Sequence, residues 1–142
     1  MTMNILTPAA TLIAWSMVIM IWMFVTRMKA FSDAGIDMSK ADPGARYVDV
    51  ADQMPSTVNW KAHNFTHLME QPTIFYAVVF VIALAGGGSS TAAWWAWGYT
   101  AFRIAHSLWQ SLVNTVPIRF MLYLCSNICL LALTYFALRL TF

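Results

Sequence analysis

The sequence predicts an all-α protein, an integral membrane four-helix bundle forming a single domain over residues 1–142, and three observations carry that expectation. The chain of 142 residues is 60% hydrophobic and only 10% charged, whereas a soluble domain is nearer ~25% charged. Four stretches approach the ~20 apolar residues a helix needs to cross the hydrocarbon, and polar or Gly/Pro-bearing segments separate them. Within those stretches ionisable residues are few, and Glu70 and Arg103 sit deep inside two of them.

The first span covers about residues 7–27, with Thr7-Pro8 expected as N-cap and first helical residue. No basic n-region with a small-residue cleavage site opens the sequence, so this run is expected to be retained. Lys29 to Pro55 reads as a polar loop, with five aspartates, Pro43, Gly35 and Gly44. The second span covers about 58–85 and ends at the glycine turn Gly86-Gly87-Gly88. The third runs about 91–112, Asn114 to Pro117 make a tight turn, and the fourth runs about 118–139.

Arg27, Lys29, Lys40, Arg46 and Lys61 flank the first loop and Arg119 the third, while only Arg139 stands on the opposite side. Lysine and arginine collect on the cytoplasmic side, which predicts cytoplasmic loops one and three. Glu70 and Arg103 then each lie roughly 16 Å deep in adjacent antiparallel spans, at 1.5 Å of rise per residue. They are placed to face each other or a common ligand.

A net charge of +2 without a basic run gives no reason to expect nucleic acid. Three histidines are too few for a histidine-rich metal cluster, and the loop aspartates lack Ca²⁺-loop spacing, so no metal is expected. Cys125 and Cys129 lie one helical turn apart, with Cβ atoms too divergent for an unstrained disulfide, and read as packing residues.

The polar residues within the spans form stripes. His63, His67 and Glu70 fall at i, i+4 and i+7 on the second span. Pro72 follows them and removes a backbone bond to Leu68, which predicts a kink near Glu70. Arg103, His106 and Gln110 repeat the pattern on the third span, and Arg119 with Tyr123 forms an i, i+4 pair on the fourth. An ionisable group in hydrocarbon costs at least ~2.5–3.5 kcal/mol, so such groups face one another or a wet cavity. A cavity open to the cytoplasm hydrates and pairs all three stripes. The plain alternative is a Glu70–Arg103 ion pair that fixes helix register and binds nothing.

Arg103-Ile104-Ala105-His106, followed by Pro117-Ile118-Arg119 and Tyr123, resembles the third and fourth helices of the MAPEG superfamily, the membrane-associated proteins in eicosanoid and glutathione metabolism. His67-Leu68-Met69-Glu70-Gln71-Pro72 resembles that family's second-helix element, and Lys29-Ala30-Phe31 the basic close of its first helix. The likeness is to bacterial members and to the microsomal glutathione transferase and prostaglandin E synthase branches. His67 stands where the family carries asparagine, Gln110 where it carries tyrosine, and Phe120 where the synthase carries serine.

The resemblance implies a homotrimer in the bacterial inner membrane, with glutathione bound between subunits near the cytoplasmic side. It further implies a transferase or peroxidase that joins the glutathione thiol to a lipophilic electrophile, or reduces one with it. Carried over by position, Arg119 sits near the sulfur, Glu70 holds the ammonium end, and Arg103 organises the pocket charge. His106 and Tyr123 contact glutathione, and His67 and Gln110 occupy further contact positions. A second class stays open beside it: a non-catalytic protein of the same fold, binding lipid or serving as a subunit of a larger membrane complex.

Overall fold

The structure, a computed structural model, describes residues 4–142 as five helices with no strand among the described residues. They are α1 (Leu6–Asp33), α2 (Ser56–Met69), α3 (Gln71–Leu84), α4 (Ser90–Leu112) and α5 (Val116–Thr141). The all-α expectation holds. α1, α5 and the consecutive pair α2–α3 are long and apolar enough to cross a membrane. α4 is not among them, because its inward face carries Thr100, Arg103, His106, Ser107, Gln110 and Ser111, all buried.

α1 differs from expectation at both ends. It starts before Thr7, with Asn4 Oδ1 accepting from the Leu6 N–H at 2.9 Å, so Thr7 is not its cap. It also continues through Lys29, which pairs one turn on with Asp33 at 3.2 Å. An exposed i, i+4 pair lends a helix a few tenths of a kcal/mol, so polarity alone did not end it. Gly35, at φ 66, ends it by letting the Ile36 N–H reach the Phe31 carbonyl at 3.0 Å.

The connecting segment folds back as three short 3-10 turns, Met38–Lys40, Tyr47–Asp49 and Ala51–Gln53. Tyr47 holds it down: the Arg27 guanidinium lies 3.7 Å over its ring, and its hydroxyl donates to Asn59 Oδ1 at 2.5 Å. Asn59 in turn donates to the Ala51 carbonyl at 3.0 Å. Asp37 caps the first turn, and the hydrogen bonds from the Ser39 hydroxyl and N–H keep its carboxyl below the usual carboxylate range.

The kink predicted near Glu70 is a full break. Pro72 offers no N–H to the Leu68 carbonyl, and Glu70, at φ −86 and ψ −93, separates α2 from α3. Leu12, Ile19, Leu68, Phe75, Val79, Ile82, Tyr99 and Leu133 form the core between the helices. α4 and α5 make the most extensive pairing. Gly98 allows their approach there: a Cβ on it would lie 3.2 Å from Cys129 Sγ. Both cysteines are free thiols.

Candidate functional site

α4 supplies the centre of the site. Its 3.6-residue period turns Arg103, His106 and Gln110 onto one buried face. Arg103 is only 2% exposed, and its Nη2 donates to the His67 carbonyl at 2.6 Å. That carbonyl belongs to the last turn of α2, where main-chain donors run out at a helix end, so the break creates the acceptor that holds the arginine. Arg103 Nε, also buried, has no partner.

A cavity of about 800 Å³ opens beside this contact, between the α2–α3 break, α4 and α5. Its polar wall carries His67, Glu70, Arg103, His106, Arg119 and Tyr123. Six of the seven residues that the resemblance marked as site positions therefore meet around one space. The seventh, Gln110, lies behind the wall, with Oε1 3.0 Å from His67 Nδ1. With the amide oxygen accepting, Nδ1 carries the hydrogen and Nε2 keeps the lone pair. The rings of His67 and His106 are 6.2 Å apart, and those of His106 and Tyr123 are 6.5 Å apart.

Glu70 and Arg103 share the cavity without forming an ion pair, and Glu70 stays exposed. Arg119 is held by the turn preceding α5: its Nη1 donates to Asn114 Oδ1 at 2.6 Å. Asn114 takes φ 60, and its N–H closes α4 onto the Trp109 carbonyl at 2.7 Å. The left-handed residue that ends one helix thus positions the cation on the next. A guanidinium has five donor hydrogens, so most of Arg119's remain free for a ligand.

Sequence reasoning missed Gln71 and Asn127, which also line the cavity. Tyr99 donates to Gln71 Oε1 at 3.2 Å, Gln71 Nε2 donates to Asn127 Oδ1, and Asn127 donates to the Tyr123 carbonyl at 3.1 Å. This amide bridge ties α4, α3 and α5 together at the cavity. A signal for it was available, since Asn127 extends the Arg119, Tyr123 stripe by four residues.

His63 does not join the site and is exposed. Its neighbour Asn64 is the buried residue, at 0% exposure, donating to Ser107 Oγ and Ser111 Oγ at 2.8 Å each. Trp15 Nε1 reaches the same Ser107 at 3.0 Å and so adds α1 to the network. Among the described residues no group of three or more His, Cys, Asp or Glu side chains is gathered to hold a metal ion.

The remaining wall is apolar, from Ile74, Val116, Phe120 and Leu130. Two arginines against one glutamate leave the polar half with one net positive charge when its histidines are neutral. The space suits an anionic, zwitterion-bearing molecule at one end and an apolar one at the other, within the ~300–1,000 Å³ usual for small-molecule sites.

The sequence pattern of the MAPEG family matches residues 5–139, nearly the whole chain. Comparison with curated proteins and with solved structures gives no match.

Proposed function

Since the chain belongs to the MAPEG family, we propose that it is a membrane-bound glutathione transferase or peroxidase acting on lipophilic electrophiles. The observation that carries this reading is the gathering of Glu70, Arg103, His106, Arg119 and Tyr123 around one cavity with an apolar side. Glutathione has two carboxylates and one ammonium at neutral pH, a net charge opposite to that of the cavity wall. Glu70, exposed and unpaired, is free to take the ammonium. Arg103 and Arg119 supply donors to carboxylate and sulfur.

Each residue then has a task. Arg119, fixed by Asn114, favours negative charge on sulfur. A shift of two units in a thiol pKa needs ~2.7 kcal/mol, within reach of a guanidinium in a partly desolvated site. His106 and Tyr123 offer hydrogen bonds, and Ile74, Val116, Phe120 and Leu130 receive the acceptor. The same reading places four spans in one domain of a homotrimer in the bacterial inner membrane, with loops one and three cytoplasmic. The register-fixing alternative loses its main support, because no Glu70–Arg103 ion pair forms.

Calorimetry of glutathione on detergent-purified protein, with Arg119→Ala as control, tests the proposal. Saturable binding that falls at least tenfold in the variant supports it. A folded, assembled protein that does not bind glutathione overturns it in favour of a non-catalytic MAPEG-fold protein.

A further inference from the structure

We propose that His67 and Gln110 form a proton-accepting pair, in which His67 Nε2 takes the thiol proton and Gln110 fixes the tautomer that lets it do so. The inference rests on the glutathione reading and assigns the acceptor of the proton that Arg119 only makes easier to lose.

The geometry is specific to these two side chains. His67 sits in the last turn of α2, on the cavity wall, and Gln110 is buried one layer behind it on α4. The 3.0 Å contact uses Nδ1. An imidazole whose Nδ1–H is given to a neutral oxygen has one lone pair left, on Nε2. The main chain of His67 is fixed as well, because its carbonyl accepts from Arg103. Ring and backbone are therefore both held from the α4 side, which leaves Nε2 as the nitrogen free to meet a ligand.

The charged and titratable groups around it make the assignment. Glu70 lies on the same chain segment, Arg103 and His106 come from α4, and Arg119 and Tyr123 from α5. A guanidinium carries five donor hydrogens and no acceptor lone pair, so neither arginine serves as the base. Glu70 is committed to the ammonium end in this reading. His106 has no hydrogen-bonded partner that sets its tautomer among the described residues. His67 is the one base with an orienting group behind it, which is how a general base is recognised.

The step balances with an activated alkene as acceptor. The S–H bond breaks, its proton passes to Nε2, and its electron pair stays on sulfur beside Arg119. The sulfur–carbon bond then forms, the alkene pair moves to the carbon next to the activating group, and His67 returns the proton there. No oxidant or leaving group is needed.

The experiment follows protons as well as turnover. Glutathione is titrated into the purified protein in buffers of different ionisation enthalpy, and the ultraviolet band of the thiolate is recorded in parallel. The unaltered protein should show the band with almost no proton released to buffer, because His67 retains it. In His67→Gln the band should vanish at neutral pH or appear with one proton released per thiolate. Turnover of an activated alkene should fall about 100-fold in kcat/KM, in the range of a lost general base, and become proportional to hydroxide. Gln110→Leu should lower it about tenfold, with Gln110→Glu restoring most of the loss. A full proton released by the unaltered protein, or a proton count and pH profile unchanged in His67→Gln, overturns the assignment and leaves glutathione binding standing. Failure of the assembled protein to bind glutathione overturns both.

Discussion

Arg103 Nη2 donates to the His67 carbonyl at 2.6 Å, which ties the centre of α4 to the last turn of α2 at the point where the second span breaks. Structure and site meet in this bond. Arg103→Met should lower unfolding stability by about 1–3 kcal/mol, the cost of a buried acceptor left without its donor. Arg103→Lys keeps the charge but lacks the planar fork, and should recover only part of the loss. Thermal unfolding of the three proteins in one detergent checks the order.

Asn64 joins α2 to α4 through two serines, and Trp15 brings α1 to the same hydroxyl. Interhelical hydrogen bonds in membrane proteins average ~0.6 kcal/mol and reach ~1.7. Asn64→Leu should therefore cost about 1–3 kcal/mol, and Ser111→Ala, which removes one bond, less than half of that. Neither change touches the cavity wall, so glutathione affinity per folded molecule should stay within twofold.

Asn114 has two separable roles, as the left-handed residue ending α4 and as the partner of Arg119. Asn114→Gly keeps the first and removes the second. It should unfold within about 0.5 kcal/mol of the parent, since glycine tolerates positive φ, while binding glutathione several-fold more weakly. Asn114→Ala should show the same binding defect with a further ~1–2 kcal/mol lost to the left-handed backbone. Equal affinity in all three would remove Asn114 from the site.

Gly87, in the turn before α4, and Gly98, within α4, both face α5 but differ in what a side chain would meet. A Cβ at Gly87 would fall 2.0 Å from Leu140 Cδ1, the far end of a flexible side chain, so Gly87→Ala should cost under ~1 kcal/mol as Leu140 rotates. A side chain at Gly98 meets Cys129 across the most extensive helix pairing. Gly98→Val should cost about 1–3 kcal/mol by overpacking, and the added change Cys129→Ala should recover part of it. Unfolding curves of the double variant against both single ones measure the coupling.

Residues whose presence in a bilayer needs explaining were legible in the sequence. Glu70 and Arg103 stood out because charge is rare at that depth, and His106, Arg119 and Tyr123 because they fall on helical stripes and on the motif that resembles the MAPEG family; all five line the cavity. Gln71 and Asn127 did not, since neutral amides carry no comparable cost and their partners lie on other helices. On α2 the predicted stripe holds for His67 and Glu70 but not for His63, which is exposed, while Asn64, about 100° further round the helix, is the buried residue. A run of histidines draws the eye, whereas an asparagine between two serines is visible only once the helices are packed. The start of α1 was read from the capping pair Thr7-Pro8 and its end from polarity, and the helix ends follow the hydrogen bonding of Asn4 and of Gly35-Ile36 instead.

The polar inward face of α4 bears on how the protein is made. A segment carrying Arg103, His106, Gln110 and the four buried hydroxyl residues Tyr99, Thr100, Ser107 and Ser111 is a poor candidate to partition into lipid by itself. Its acceptors are provided by neighbours: the His67 carbonyl by α2, and the Asn127–Gln71 bridge by α5 and α3. Only the residues 113–115 separate α4 from the strongly apolar α5. On the four-span reading proposed above, α4 enters the bilayer as the first arm of a hairpin, drawn in by α5 and met by segments already inserted. Its late arrival makes the cavity the last part of the molecule to be assembled, so a ribosome that stalls before α5 is complete leaves a chain with no site.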